Sequence, residues 1–201
     1  PLFIFIFFCM FLTAISEFGP QQWTGVIMSE SGASPMLILA LVTGLMAVIR
    51  FFAGPIVAAI GDTGVLWGSS FLTFIGIYLF STVTGPMAYV AAIFFAMGVA
   101  LFWPNMIGFI AKFVPLSGAL GMSIIGGVGM FSSALFQPVI GRWIDEAKEA
   151  TIASGAVENI ELAAGQATLQ QMLIFPGILI VAFGILFFWM KGKKPVGAGA
   201  H

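Results

Sequence analysis

Six long apolar stretches restrict this chain to one kind of architecture. Each stretch is close to the twenty or so residues that a helix needs to cross the hydrocarbon core of a bilayer. The stretches cover residues 2–28, 35–60, 64–84, 87–112, 118–142 and 168–190. Charged residues are only 7% of the chain, against about 25% in an ordinary soluble domain. We therefore predict an all-α membrane protein with six transmembrane helices, in contact with the lipid bilayer.

The charged and metal-binding residues exclude several classes of function. A net charge of −1 leaves no basic surface for nucleic acid. Cys9 is the only cysteine and His201, at the last position, the only histidine, so no metal site or other cofactor is expected. An enzyme needs clustered acid–base or metal-binding side chains, and a channel needs a ring or a repeated filter element. Neither pattern is visible, and the chain is not predicted to be an enzyme.

The connections between the stretches indicate a topology. Most are short, but residues 143–167 form a long, charged, helix-compatible connection that is predicted to be a solvated loop. With six spans both ends lie on one side, and that side carries the excess of lysines: Lys112, Lys191, Lys193 and Lys194. By the positive-inside rule both termini are predicted to be cytoplasmic and the 143–167 loop extracytoplasmic. The predicted location is the plasma membrane, the inner membrane of a bacterium.

Several residues recur at a nearly constant separation. The pairs are Pro55 with Pro138, Asp62 with Asp145, Gly44 with Gly127, and Pro20 with Pro104. The first three pairs are 83 residues apart and the fourth 84. The first three helices therefore resemble the last three. Because an odd number of helices per copy reverses the direction of the second copy, this spacing predicts a 3+3 inverted repeat, a frequent design in secondary transporters.

The first stretch contains a carboxylate in an apolar environment. Glu17 is predicted to lie past the midplane toward the outside, where an unpaired charge is costly. It should face the bundle interior or water, or be protonated, which favours solute contact or proton coupling. The alternative is a structural group near the kink at Pro20. Gln21, Gln22 and Trp23 follow and suit a polyhydroxylated or heterocyclic solute, although Trp23 is equally suited to anchoring at the membrane interface.

Four further polar or aromatic residues are candidate site residues. Arg50 is predicted to lie deep in the second stretch and to need a carboxylate, a carbonyl or water as its partner. Glu17 is one candidate, but at a different depth, and a partner outside the chain is the other. Trp103 and Asn105 flank a proline in the fourth stretch, where Asn105 serves either a solute site or helix association. Gln137 in the fifth stretch is the fourth candidate.

The residues listed so far resemble the major facilitator superfamily, and most closely its branch of fucose–proton symporters and sugar permeases. Two further runs contribute to the resemblance: RFFAG at 50–54 and GMSIIGGVGMFSSALFQPVIGRWID at 121–145. The resemblance covers nearly the whole chain, 1–201, as the C-terminal six-helix half of a twelve-helix transporter. It implies that the chain is a fragment whose N-terminal half is missing. The superfamily's loop motif is degenerate here, with only Gly61, Asp62 and Gly64 retained.

The resemblance implies secondary active transport by alternating access. It implies that the helices of Glu17–Trp23 and of Trp103–Asn105 line a central cavity, and that the helices of Arg50 and Gln137 face the other half. The expected activity is uptake of a small polar solute, such as a sugar or nucleoside, coupled to protons or sodium. In the sugar branch the proton-coupling acids belong to the other half, so a coupling role for Glu17 rests on its depth and chemistry alone. Efflux of drugs or metabolites is the alternative within the superfamily. A six-helix membrane enzyme or scaffold is the alternative from another class.

Overall fold

Helices account for all the regular structure in the described part of the chain. A computed structural model describes residues 2–29, 32–155 and 158–193. The helices are α1 (Leu2–Ser29), α2 (Pro35–Phe51), α3 (Ala53–Ile60), α4 (Asp62–Phe80), α5 (Met87–Val99), α6 (Phe102–Phe113), α7 (Gly118–Ala153), α8 (Ile160–Met172) and α9 (Ile174–Met190). A short 3-10 turn at Pro115–Ser117 separates α6 from α7.

Several of these helices are long and apolar enough to cross a membrane. By length and composition there are five such spans among the described residues, or up to six if the bent pair α2 and α3 is counted as one. On α9 the side chains of Ile174, Ile178, Val181 and Ile185 are all exposed. Their spacing of three or four residues places them on one helix face, which lipid would cover. An all-α chain with membrane-length helices is therefore confirmed, consistent with an integral membrane protein.

Three of the predicted spans are interrupted. The second bends by 65° between α2 and α3, just before Pro55, which has no N–H to donate to the carbonyl four residues earlier. The fourth span breaks between α5 and α6, and the last changes from α8 to α9 at Leu173. Hydropathy does not register the first two breaks because the residues on both sides of each are strongly apolar.

The prediction of a long loop at 143–167 is wrong. Helix α7 continues through residue 153 and α8 begins at Ile160, so only a short connection joins them. The two helices approach each other beyond the apolar stretches, where Lys148 Nζ lies 2.8 Å from Glu161 Oε2. Residues 143–153 are rich in Ala, Glu and Lys, which are good helix formers in water. The apolar pattern therefore ends earlier than the helix does.

Helix α4 packs along α5 and α9, while α1 packs against α7 to α9 and α2 packs against α5. The contact between α4 and α5 is made by two glycines. A Cβ on Gly76 would lie 2.5 Å from the backbone of Phe95, and a Cβ on Gly98 would lie 2.3 Å from the backbone of Thr73. Small residues permit this close approach. The resulting packing stabilises the helix pair, because lipid provides no hydrophobic driving force for association between helices.

Candidate functional site

A cavity of about 560 Å³ opens between four helices of the bundle. Its size is within the range of small-molecule sites, about 300–1,000 Å³. Its lining consists of Glu17, Phe18 and Gln21 from α1, Thr43, Met46, Ala47 and Arg50 from α2, Trp103, Pro104 and Ile107 from α6, and Met130 from α7. Among the described residues that line it, Glu17 and Arg50 carry formal charges. A second, smaller cavity is lined by Leu2, Phe5, Ile185, Leu186 and Trp189, none of which is charged.

Glu17 and Arg50 face each other across this cavity. Arg50 Nη2 lies 3.7 Å from Glu17 Oε1, which is an ion pair but too long for a good hydrogen bond. The Glu17 side chain is 3% exposed and that of Arg50 is 41% exposed. The other carboxylate oxygen, Oε2, is buried without a hydrogen-bond partner in the described part of the chain. The site therefore contains the Glu17 carboxylate, with one oxygen that has no hydrogen-bond partner among the described residues, beside the accessible guanidinium of Arg50.

The expectation that Glu17 and Arg50 lie at different depths is wrong. That expectation counted residues from the start of each apolar stretch and assumed straight helices perpendicular to the membrane. Helices in membranes tilt by about 20° on average, so residue counting does not fix relative depth. The long arginine side chain also extends well beyond its own backbone. The two residues consequently meet within the chain.

The backbone break between α5 and α6 holds Arg50 in place. Pro104 has no N–H, so it cannot donate to the carbonyl of Ala100, which lies four residues earlier. Arg50 Nε donates to that same carbonyl oxygen at 2.9 Å. This bond uses one edge of the guanidinium and leaves terminal N–H groups toward Glu17 and the cavity. The proline thus creates the acceptor that positions the arginine.

Aromatic and amide groups complete the wall of the cavity. Trp103 packs edge-to-face on Phe18, with ring centroids 5.7 Å apart. Its ring lies against Gly129, where an added Cβ would be 2.6 Å away. Trp103 Nε1 is buried without a hydrogen-bond partner among the described residues, and Gln21 Nε2 has only a weak contact with Met46 Sδ at 3.5 Å. Gln21 Nε2 is therefore a donor that a hydroxylated solute can engage.

Two other candidate residues bond to each other and join α1 to α7. Trp23 Nε1 donates to Gln137 Oε1 at 3.0 Å, and Gln137 Nε2 donates to the carbonyl oxygen of Phe18 at 3.3 Å. Gln137 thereby links two turns of α1, around the position of Pro20. Neither Trp23 nor Gln137 is among the residues that line the cavity. Their hydrogen bonds therefore stabilise the position of α1, the first of the helices that line the cavity. Gln22, on the same helix, is exposed outside the cavity.

Asn105 is buried but points away from the cavity. Its Nδ2 donates to the backbone carbonyl of Asp62 at 2.6 Å, at the start of α4. The Asp62 carboxylate pairs with Lys112 Nζ at 2.7 Å. The Asn105–Asp62 bond joins α6 to α4, as expected for one of the two roles that the sequence leaves open for Asn105, helix association. Together the three residues join the start of α4 to α6.

Comparison with family models, curated proteins and solved structures found no match for this chain.

The described residues contain no group of three or more His, Cys, Asp or Glu side chains that could hold a metal ion. His201 lies outside the described residues.

Sequence reasoning missed several residues of the cavity. Thr43, Met46 and Met130 line it but look like ordinary helix residues. Ala100 contributes only a carbonyl oxygen, which its own residue type does not reveal. A signal for Ala100 did exist, because any proline inside a helix orphans the carbonyl four residues before it. Pro104 therefore indicated an acceptor at Ala100, and the depth of Arg50 indicated a donor in need of one.

Proposed function

We propose that this chain is one half of a secondary active transporter of the major facilitator type, which moves a small polar solute by alternating access. The observation that carries the proposal is the Glu17–Arg50 pair, 3.7 Å apart, inside a cavity formed by apolar helices. Charged residues within membrane spans are costly and mark solute or ion pathways. The lining residues Thr43, Ala47 and Arg50 are exposed, so the cavity is open on the side where a second half would face it.

The arrangement of the helices supports a six-span, 3+3 inverted repeat. Counting α2–α3, α5–α6 and α8–α9 as single spans, the first three spans would correspond to the last three. The first span packs on the fifth through α1 and α7, and the fourth packs on the second through α5 and α2. The first packs on the sixth, and the fourth on the third. Exchange of the two halves thus maps each contact onto another, as a pseudo-twofold axis requires.

We propose that both termini are cytoplasmic and that the membrane is the plasma membrane of a bacterium. The charges near the helix ends support the proposed orientation. The Asp62–Lys112 pair and Lys191 and Lys193 belong to helix ends on the proposed cytoplasmic side. The Lys148–Glu161 pair belongs to the opposite side. Lys193 Nζ lies 3.2 Å from the centroid of the Trp189 ring, an interfacial aromatic–basic contact that is frequent at membrane surfaces. Cysteine labelling from either side of the membrane tests this orientation.

Transport by the complete protein, which contains this chain and the proposed facing half, is the direct test. Proteoliposomes are loaded with buffer, and uptake of radiolabelled sugars, nucleosides and small organic acids is measured with and without an inward proton or sodium gradient. We expect gradient-driven accumulation of at least one solute. Arg50→Gln should abolish it, since this change removes the cavity's cation.

Matched controls separate the site from general effects of charge removal. Arg142→Gln removes an exposed arginine of α7 that does not line the cavity, and Glu161→Gln removes an ion-paired acid at the α7–α8 contact. Both controls should transport like the wild type. The proposal is wrong if no solute accumulates under any gradient, or if Arg50→Gln and Arg142→Gln have equal effects.

Efflux of amphipathic compounds is a second candidate function, favoured by the apolar part of the lining. Phe18, Met46, Ile107 and Met130 offer flexible, polarizable contacts of the kind that promiscuous binding surfaces use. Cells that express the complete protein would then expel lipophilic cationic dyes faster than control cells. Dye efflux without any accumulation of polar solutes would favour this function.

A further inference from the structure

The charges in the cavity point to the class of solute, given the proposed transport function on which this step rests. We infer that the site takes a solute bearing a single carboxylate, which binds Arg50 in place of Glu17 and enters together with one proton.

Arg50 has both the exposure and the geometry for a carboxylate. Its side chain is 41% exposed, and its Nε is already fixed by the Ala100 carbonyl oxygen at 2.9 Å. A guanidinium held at one edge is preorganised, because less side-chain freedom is lost when its remaining donors bind a ligand. The remaining N–H groups match two carboxylate oxygens in a paired arrangement. A neutral hydroxylated solute would use these donors less fully.

Glu17 is only loosely engaged by Arg50 and can therefore be displaced. The 3.7 Å separation of Nη2 and Oε1 exceeds the length of a charge-assisted hydrogen bond, about 2.7–2.9 Å. Glu17 Oε2 has no partner in the described part of the chain. An incoming carboxylate that makes two short bonds to Arg50 thus replaces one long contact. The carboxylate of Glu17 itself is buried and does not move into solvent.

The displacement has a consequence for protons. Before binding, and at a pH at which Glu17 is ionised, its charge and that of Arg50 cancel. After binding, the solute's carboxylate cancels Arg50, and Glu17 would remain as a buried, unpaired charge. A buried carboxylate without a partner is strongly disfavoured, so Glu17 takes up one proton from water. The cavity again has no net charge, with the solute anion and the proton bound together.

Apart from Arg50 of α2, no charged residue of the described structure lines the cavity that holds Glu17, and the titratable side chains Cys9 of α1 and Tyr89 of α5 do not line it either. The elements that pack against α1 carry charges elsewhere: Lys112 of α6 pairs with Asp62, and Glu161 of α8 pairs with Lys148. The charged residues of α7 begin at Arg142, beyond the residue of α7 that lines the cavity, Met130. Helices α5 and α9 contain no charged residue. The proton is therefore assigned to Glu17.

The test measures binding of monocarboxylates to the complete transporter in detergent at several pH values. The probes run from lactate to glucuronate, and each acid is compared with its uncharged amide, which has nearly the same shape. We expect at least one acid to bind at least about tenfold more tightly than its amide. Its dissociation constant should rise about tenfold per pH unit above neutrality, since one proton is bound with the anion.

Two variants separate the role of Glu17 from that of the fold. In Glu17→Gln the neutral amide imitates the protonated acid, so binding of the carboxylate should persist and lose its dependence on pH. In the control Glu161→Gln the dependence on pH should remain. Equal dependence on pH in Glu17→Gln and the wild type would overturn the assignment. Loss of all binding in a Glu17→Gln protein that still unfolds at the wild-type temperature would also overturn it.

Failure of this inference can be told apart from failure of the proposed function. If no acid binds more tightly than its amide, but a sugar or nucleoside accumulates under a proton gradient, the inference is wrong and the transporter proposal stands. If no solute of either kind binds or accumulates, both are wrong.

Discussion

Arg50 Nε donates to the carbonyl oxygen of Ala100 at 2.9 Å. This oxygen has no backbone donor from residue 104, because Pro104 has no N–H. A proline in one span thereby fixes an arginine of another span beside the cavity. Polar groups in the hydrocarbon region must find partners inside the protein, so the missing hydrogen bond of Pro104 and the donors of Arg50 satisfy each other.

Arg50→Lys should impair transport although it keeps the charge. A lysine has a single ammonium group at the end of a flexible side chain. It cannot donate to the Ala100 carbonyl oxygen and also present the planar set of N–H donors of a guanidinium to Glu17. We expect uptake by the complete transporter to fall by about tenfold or more, which corresponds to about 1.4 kcal/mol. The matched control is Arg142→Lys on the exposed surface of α7. Uptake by Arg50→Lys at the wild-type rate would show that the fork geometry has no role.

Pro104→Ala should raise stability while lowering transport. The new N–H at residue 104 can donate to the Ala100 carbonyl oxygen, close the gap between α5 and α6, and compete with Arg50 Nε for that acceptor. Since a proline inside a helix costs about 3 kcal/mol, the midpoint of thermal unfolding in detergent should rise. Uptake should fall because Arg50 is held less firmly. Pro115→Ala, in the exposed 3-10 turn, serves as control, and an unchanged uptake rate in Pro104→Ala would contradict the prediction.

Gly76→Ala should destabilise the bundle. Its new methyl group would lie 2.5 Å from the backbone of Phe95, which cannot yield as a flexible side chain can. Overpacking of this kind costs about 1–3 kcal/mol. The control is Gly68→Ala on the same helix, where an added Cβ has nothing within 4 Å. Denaturant titrations of the two variants should differ accordingly, and equal midpoints would refute close packing of α4 and α5.

Gln137→Leu should weaken the attachment of α1 to α7. The change leaves Trp23 Nε1 without its acceptor and removes the donor to the Phe18 carbonyl oxygen. Hydrogen bonds between helices in membranes contribute about 0.6–2 kcal/mol each, so a loss of about 1–2 kcal/mol in unfolding free energy is expected. Gln22→Leu is the control, because Gln22 is exposed. If both variants unfold alike, the Trp23–Gln137 bond does not contribute to stability.

The sequence alone determined the helical class and the approximate positions of the membrane-length segments. Apolar runs of this length have few alternatives, because every backbone polar group in lipid must be bonded within a helix or a closed barrel. The depth of Glu17 and Arg50 in such runs also indicated that each needs a polar neighbour. The apolar pattern stops at residue 143, and the prediction of a loop from that residue failed. Helix α7 continues through residue 153, because residues in water can form a helix without an apolar pattern.

Only the tertiary structure decided which polar groups meet. Glu17 and Arg50 pair despite their different positions in the two runs, and Asn105 bonds to Asp62 instead of facing the cavity. Trp23 and Gln137 engage each other, 114 residues apart in the sequence. Such pairings depend on the tilt, rotation and breaks of several helices at once. Those quantities arise from packing between helices, and the order of residues within one helix does not fix them.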